Sequence, residues 1–307
     1  MKFGKVLTVA ALFFASHVYA ETIDLGVAKN YNVFVFNSYQ TTGWSSIGGS
    51  VAVGGNANIS SSNIGTSSKN SYGLVVGGDL AKSYGNISGK AWVGGKVNAP
   101  TYDTYDSKNY SHTTAPIDFA ATQKSLVSLS KSLAADTATG SVEYKYGSNG
   151  YLTGTGSNVE YFTLSGSALS SITNWTFNNI LTDATLILNI SGTNISLTGG
   201  WSGFSSYNTL LNLYDATTVN LSGINLSASV LAVGATITGG NGTVTGTVIA
   251  NNWNNSLTLA TGNSFDAVTV TSPVPEPHTY VLLLIGFGMM LFFSRYRKPH
   301  KSKLVNI

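Results

Sequence analysis

The chain has 307 residues, of which 43% are hydrophobic and only 9% are charged, and it has no cysteine. The apolar content is enough for a core, which excludes disorder of the whole chain, and the lack of cysteine excludes disulfides and His/Cys metal sites. Two of the 16 Lys and Arg residues lie in the first twenty residues and five in the last thirteen. The segment between these ends therefore has nine basic and twelve acidic residues, a net charge near −3. This charge leaves no basic stripe that could bind nucleic acid.

The first twenty residues predict a secretory signal peptide. Lysines at positions 2 and 5 precede an apolar run from Val6 to Phe14, and the stretch ends with Val18-Tyr19-Ala20. A basic start, a short apolar middle and an Ala-x-Ala-like end are features that the secretion machinery and signal peptidase recognise. We therefore expect export, cleavage after Ala20, and a passenger domain over residues 21–273.

A short unit that ends in two glycines recurs early in the passenger: Val51-Ala52-Val53-Gly54-Gly55, Leu74-Val75-Val76-Gly77-Gly78 and Ala91-Trp92-Val93-Gly94-Gly95. Each unit is typical of a short strand that ends where glycine lets the chain turn sharply. The period is irregular, since Val53 and Val76 are 23 residues apart but Val76 and Val93 are 17 apart. A hairpin meander would give the same alternation, but the recurrence favours the stacked coils of a β-solenoid.

Residues 100–116 form a connector rich in Tyr, Asp, Ser and Thr, which predicts a surface loop. His112 in this loop makes a Ser-His-Asp relay formally possible, but no Gly-x-Ser-x-Gly elbow surrounds a candidate serine. Asp103 and Asp106 could contact one Ca²⁺ ion, yet neither an EF-hand nor a tandem calcium repeat is present. A solvated acidic loop is the better interpretation.

The segment 117–135 predicts the one clear amphipathic helix of the passenger. Phe119, Leu126, Leu129 and Leu133 share one face, while the lysines at positions 124 and 131 point away. So narrow an apolar stripe would cover the side of a sheet or solenoid rather than form a bundle.

From Val142 to Val270 short apolar segments return, with turn residues about every ten residues. Leu211, Leu221 and Leu231 are evenly spaced, which we interpret as a sign of stacked coils that share one core. The predicted fold class is mainly β: a β-solenoid, or β-helix, with one helix alongside and a hydrophobic helix near the C-terminus.

The passenger resembles the choice-of-anchor A family over about residues 25–251. The similarity lies in the start Leu25-Gly26-Val27-Ala28-Lys29-Asn30-Tyr31, the Val-Gly-Gly units, the stretch from Leu213 to Leu221, and the two segments Ser229–Ala235 and Gly246–Ala250. Where members of that family often have Leu-Ala-Pro, this chain has Leu231-Ala232-Val233. The resemblance implies an adhesive extracellular domain without catalytic residues.

The C-terminal tail predicts a membrane-anchoring sorting signal. The motif Val274-Pro275-Glu276-Pro277 precedes an apolar segment over 280–293, and the basic cluster that follows should stay cytoplasmic. This cluster contains Arg295, Arg297, Lys298, Lys301 and Lys303. The tail resembles the PEP-CTERM signal of Gram-negative bacteria, which implies processing by an exosortase, a membrane cysteine protease.

Other side chains leave alternatives open. Thr236, Thr238, Thr243, Thr245 and Thr247 form Thr-x-Thr patterns that could face ice or a glycan, although Thr is also a common strand residue on a solvent face. The tryptophans could stack on sugars, but packing is the better interpretation for any one of them; they are Trp44, Trp92, Trp175, Trp201 and Trp253. Scattered acids could pair for glycoside hydrolysis, with no local motif to single one out; they are Asp136, Glu143, Glu160, Asp183 and Asp215.

These observations predict an exported surface or biofilm-matrix protein, tethered to the membrane and then sorted, which adheres through a rigid polar β face. The expected partners are the secretion machinery, signal peptidase, an exosortase, the membrane and an extracellular polysaccharide or other surface ligand. An ice- or glycan-binding module and a polysaccharide-active β-helix enzyme are the alternatives. We expect no enzyme activity, no cofactor and no metal.

Overall fold

The computed structural model describes residues 18–99, 110–111, 114–273 and 286–290. The chain divides into two compact units, Ile23–Val268 and a smaller unit made of Met1–Thr22 with Thr269–Ile307. In the smaller unit, β1 (Val18–Ile23) and β24 (Val268–Pro273) form a two-stranded sheet, and residues 286–290 are helical.

The first half of the larger unit contains ten short strands and one more within the connector. They are β2 (Val33–Val35), β3 (Tyr39–Thr41), β4 (Ser45–Ile47), β5 (Val51–Val53), β6 (Ala57–Ser60), β7 (Ser62–Ile64), β8 (Tyr72–Val76), β9 (Leu80–Ser83), β10 (Lys90–Val93), β11 (Val97–Asn98) and β12 (Tyr110–Ser111).

The second half begins with the long helix α1 (Phe119–Ala135). The elements that follow are β13 (Ser141–Lys145), β14 (Asn149–Thr153), β15 (Val159–Ser165), the short helix α2 (Gly166–Leu169), β16 (Asn174–Asn178), β17 (Thr185–Ser191), β18 (Asn194–Trp201), β19 (Asn208–Asn212), β20 (Thr218–Leu226), β21 (Ser229–Thr245), β22 (Val248–Asn255) and β23 (Thr258–Ala260).

The larger unit is a β-solenoid, which confirms the predicted fold class. Nineteen of its strands form one sheet that winds into coils, and each of these pairs in parallel with its counterpart in the next coil. The other three, β13, β14 and β16, form a small separate sheet in which β13 and β14 are antiparallel. The coil length varies, because Val33 pairs with Val51, 18 residues later, whereas Val51 pairs with Leu74, 23 residues later. The variation accounts for the irregular spacing of the Val-Gly-Gly units.

The coils have three faces. The helix face contains β15, β17, β19, residues 229–233 of β21, residues 248–250 of β22, β2, β5, β8 and β10. The open face contains residues 194–197 of β18, 218–221 of β20, 236–238 of β21, 252–255 of β22, and β3, β6, β9 and β11. The third face contains the ends of β18, β20 and β21 with β23, β4 and β7.

The order of the coils in space differs from their order in the chain. Strand β2 pairs on one side with β5 and on the other with β22, so that Val33 lies between Val51 and Val248. The first coil of the chain therefore stacks on the last one, and the two halves share one continuous core. Helix α1 connects them.

On the helix face, the side chains that point into the core and those that point outward are mostly apolar. This is why the sequences of its strands are nearly continuous apolar runs. Val33 and Val35 point into the core, whereas Phe34 between them points outward and is still fully buried. Helix α1 covers this outer side, and the rings of Phe34 and Phe119 lie 5.3 Å apart.

Helix α1 matches the predicted segment closely, with one correction. It begins after Asp118, whose side chain accepts a hydrogen bond from the Ala121 amide over 2.9 Å. The lysines at positions 124 and 131 are exposed as predicted. Leu129 is only half-buried, because the polar Ser130 takes the central position of the buried stripe beside Leu126 and Leu133.

The stacked coils share one core, as expected, but the even spacing of Leu211, Leu221 and Leu231 does not correspond to one leucine per coil. Leu211 and Leu221 point into the core from two faces of the same coil, in β19 and β20. Leu231 belongs to the next coil, where it lies outward in register with Asn212 and is buried on the helix face. Ten residues is about the distance between faces, not between coils.

Candidate functional site

The open face presents a straight row of outward side chains, one from each coil. Strand pairing places each of them in register with the next. In order along the stack they are Ser196, Asn220, Thr238, Asn254, Gln40, Asn58, Ala81 and Asn98. All but Ala81 end in a hydroxyl or an amide, and all are exposed or half-buried.

A second row lies two residues earlier on the same strands. Asn194, Thr218, Thr236 and Asn252 are in register. Asn252 then accepts a hydrogen bond of 2.8 Å from the hydroxyl of Ser38, which continues the row into the next coil. The residues between the two rows, such as Val219, Ile237 and Trp253, point into the core.

The two rows form a regular array of neutral hydrogen-bonding groups. Neighbouring strands lie about 4.8 Å apart, and alternate residues along a strand are about 6.6 Å apart. A core that spans all the coils holds these positions, so little conformational entropy is lost when the array meets a partner. Such a surface can make many weak, simultaneous hydrogen bonds to a partner that is itself repetitive.

The corner between the helix face and the open face explains the recurrent Val-Gly-Gly-Asn/Asp pattern. A Cβ on Gly77 would collide with the carbonyl oxygen of Gly54 in the coil below, so the stacked corners have no room for a side chain. Oδ1 of Asn56 accepts from the Asp79 amide over 2.8 Å, and Oδ1 of Asp79 accepts from the Lys96 amide over 2.7 Å. The pattern therefore builds the edge of the array.

The threonines of the Thr-x-Thr stretch lie on two different faces and in the buried interior. Thr236 and Thr238 face outward on the open face, while Thr243 lies on the third face in register with Thr258. Thr245 follows in register with Ala260. Thr247 is fully buried and donates towards Ser264 over 3.4 Å, so it cannot contact a ligand.

Four tryptophans pack and one is exposed. Trp201 and Trp253 are buried in the core, Trp92 is buried on the helix face, and Trp175 packs edge-on against Trp201 with ring centroids 4.9 Å apart. Trp44 is 70% exposed.

Two polar cavities lie along the corner between the third face and the helix face. One, of about 470 Å³, is lined by Asp183 and Asp266 among others, and the other, of about 440 Å³, is lined by Lys29 and Lys69 among others. Ser264 lines both cavities. The side chain of Asn208 accepts a hydrogen bond from the backbone amide of Asp266 over 2.9 Å and so fixes the position of Asp266.

The acids considered for catalysis are mostly engaged in structural bonds. Glu160 is buried and accepts from the hydroxyl of Thr139 over 2.6 Å, Asp215 accepts from the Gly192 amide over 2.8 Å, and Glu143 pairs with Lys145. Asp136 ends helix α1 as its C-cap. Within the described ranges, no three His, Cys, Asp or Glu side chains are grouped closely enough to bind a metal ion.

Several predicted site residues lie outside the described residues. They are His112, Asp103, Asp106, the sorting motif at 274–277, most of the apolar segment 280–293, and the basic cluster at 295–303. Ala20 lies within β1, and cleavage after it stays a prediction. Among the described residues no helix combines the length and the apolar character needed to cross a membrane.

Sequence reasoning did not find the row on the open face. Its members are single polar residues scattered from position 40 to position 254, and only the register of strands with unequal coil lengths aligns them. The alternation of polar and apolar residues within each strand was the available signal.

Comparison with protein families gives two matches. Residues 24–261 match the model described as "Putative Ice-binding-like adhesive domain", and residues 273–298 match the PEP-CTERM protein-sorting motif. The chain matches none of the curated proteins.

Solved ice-binding proteins are distantly similar. The glycosylated ice-binding protein LeIBP from an Arctic yeast is 16% identical, with a TM-score of 0.34 over 83% of this chain and 97% of that one. The ice-binding protein of the Antarctic ascomycete Antarctomyces psychrotrophicus is 18% identical, with a TM-score of 0.35 over 78% of this chain and 98% of that one.

Proposed function

The chain belongs to the family of ice-binding-like adhesive domains and is an exported surface protein with a PEP-CTERM sorting motif; we propose that it adheres to a neutral polysaccharide through its open face. The observation that carries this proposal is the row from Ser196 to Asn98. It offers hydroxyls and amides at the regular intervals of a parallel sheet, without a charged side chain among them. Adhesion then results from many weak hydrogen bonds along a rigid rod.

Ice is the second candidate ligand. The paired rows, with Thr236 beside Thr238 and Asn252 beside Asn254, present hydrogen-bonding groups at fixed intervals in two directions. A crystal surface has the same kind of two-dimensional repeat, so the geometry of the rows suits ice as well as a packed glycan.

Lysine substitutions test the open face directly. Asn220→Lys and Asn254→Lys place a long charged side chain in the middle of the row, where it should hold a surface away, whereas Thr258→Lys makes a matched change on the third face. We expect the first two variants, but not the third, to lose adhesion of the full chain to cellulose films. Growth of ice crystals in the presence of the same variants decides between the ligands. Equal adhesion of all the variants would refute the proposal.

The sorting tail acts before adhesion. The PEP-CTERM motif implies export through the secretion machinery and processing by an exosortase. We propose that processing occurs near Val274–Pro277, that the apolar segment 280–293 and the basic cluster hold the chain in the inner membrane until then, and that the Gram-negative cell surface or matrix receives the product. The adhesive family supplies no catalytic residues, and we propose that the chain has no enzyme activity.

A further inference from the structure

One corner of the solenoid carries two exposed aromatic rings. Trp44 and Tyr84, which are 70% and 61% exposed, lie where the open face turns into the third face. Ser45 pairs with Ser62, and Ser60 pairs with Ser83, so Trp44, Ser61 and Tyr84 take the same position in three successive coils. The small side chain of Ser61 leaves a gap between the two rings.

The backbone at this corner disfavours a large side chain. The corner adopts the left-handed region in several coils, with φ of 61° at Gly223, 56° at Asn241 and 56° at Ser61. Glycine and asparagine tolerate this conformation best, whereas a bulky residue there is strained. Tyr84 nevertheless occupies the corner with φ 57°. Tyr146, in the turn between β13 and β14, has a similar φ of 55°, so what distinguishes Tyr84 is its position in line with Trp44.

The exposed surroundings of the two rings are polar and uncharged. Residues 41–46, 60–64 and 83–88, which form the corner in these three coils, include Ser, Thr and Asn. The neighbouring Lys82 is buried, and its ammonium donates to the carbonyl oxygen of Gly85 over 2.9 Å. Alternate coils are about 9.5 Å apart, which is the scale of a disaccharide repeat. The rings could therefore stack on alternate sugars of one extended chain while the hydroxyls and amides beside them bind its edges.

From these observations we infer that the aromatic corner, defined by Trp44 and Tyr84, binds an extended, neutral, β-linked glycan whose chain runs parallel to the solenoid axis. The inference rests on the proposed adhesive function and names the sugar class that the open face meets. Ice offers nothing for the rings to stack on, so the corner favours the polysaccharide.

The test is titration of the full chain with cellohexaose, in which calorimetry and tryptophan fluorescence measure binding. Trp44 is exposed, so its fluorescence should change when a sugar stacks on its ring. Maltohexaose is the matched sugar, with the same units in a coiled α-linked chain. We expect Trp44→Ala and Tyr84→Ala each to weaken cellohexaose binding about tenfold, which corresponds to about 1.4 kcal/mol. Tyr146→Ala removes an 84% exposed ring from the β13–β14 turn and should change nothing.

The outcomes separate this inference from the proposed function. If Trp44→Ala and Tyr84→Ala bind normally while Asn254→Lys does not, the aromatic corner is refuted and adhesion through the open face stands. Equal affinity for maltohexaose would also overturn the inference, because the fit requires an extended chain. If the full chain binds neither cellohexaose nor a cellulose film, both ideas fail.

Discussion

The hydroxyl of Ser130 in helix α1 donates to Oδ1 of Asn212 over 2.6 Å, and Nδ2 of Asn212 donates back to the carbonyl oxygen of Ser130 over 2.9 Å. Asn212 also donates to Oδ1 of Asn189 in the neighbouring coil over 2.8 Å. These side chains are buried, so their bonds set the position of the helix on the helix face. The helix and the open face thus occupy different sides of the rod.

Removing this pair should loosen the helix. Ser130→Ala leaves the buried amide of Asn212 without one partner, and we expect a loss of about 1–3 kcal/mol in the free energy of unfolding. Ser128→Ala, at an exposed position of the same helix, is the matched control and should be nearly neutral. Urea denaturation of both variants measures the difference, and similar stabilities would contradict the role given to Asn212.

A side chain at the stacked glycines between the helix face and the open face should destabilise the fold. In Gly77→Ala the new Cβ meets the carbonyl oxygen of Gly54, so the stacked coils must shift apart at a cost of about 1–3 kcal/mol. Gly234→Ala adds a Cβ 3.4 Å from the carbonyl oxygen of Ala216, which is an ordinary contact. Thermal melts should show a lower midpoint for the first variant alone. A normal midpoint for Gly77→Ala would mean that the corners are looser than described.

Acid should destabilise the coil that contains β15 through Glu160. Burial would raise the pKa of this carboxyl, but hydrogen bonds from the hydroxyl of Thr139, the amide of Ser157, and the amide and hydroxyl of Thr155 outweigh burial and lower the pKa. The stabilising contribution is therefore complete above the ordinary carboxyl pKa and is lost as the pH falls through the lowered one.

Glu160→Gln should accordingly be less stable than the parent at neutral pH and should lose less stability on acidification. Unfolding free energies measured from pH 7 down to pH 3 would show the two curves converge. Glu143→Gln, which changes an exposed carboxylate, should leave the free energy of unfolding at pH 7 nearly unchanged. Parallel curves for Glu160→Gln and the parent would contradict the assignment.

Sorting should depend on an exosortase. We expect the full chain to lose the residues beyond the Pro-Glu-Pro region only in a host that has this protease, and intact mass together with cell fractionation would detect the loss. Glu276→Gln should slow the processing, while Glu143→Gln, a matched change within the passenger, should not. A tail that stays uncut in the inner membrane of both hosts would leave a simply tethered protein.

Local features of the fold followed from the sequence. The runs around Val53, Val76 and Val93 predicted strands because each is apolar on both sides and ends in glycines. Helix α1 was predicted within two residues of its start, since the apolar stripe is a local signal.

Non-local features did not follow. The contact of β2 with β22 joins residues more than 200 positions apart, such as Val33 and Val248, and no local pattern encodes it. The prediction placed Leu129 in the buried stripe instead of Ser130. A serine is polar, and the helix sequence does not show that Asn212 lies opposite it and forms two hydrogen bonds with it. The row on the open face was missed for the same reason, since it depends on register between coils of different lengths.

The side-chain amides of the open face allow its role to be measured directly. In a ¹⁵N correlation spectrum of the full chain, the amide groups of Gln40, Asn58, Asn220 and Asn254 report on that face, and that of Asn225 reports on the third face. Adhesion through the open face predicts that cellohexaose shifts the first set and leaves Asn225 unchanged. A shift of Asn225 alone would contradict the account.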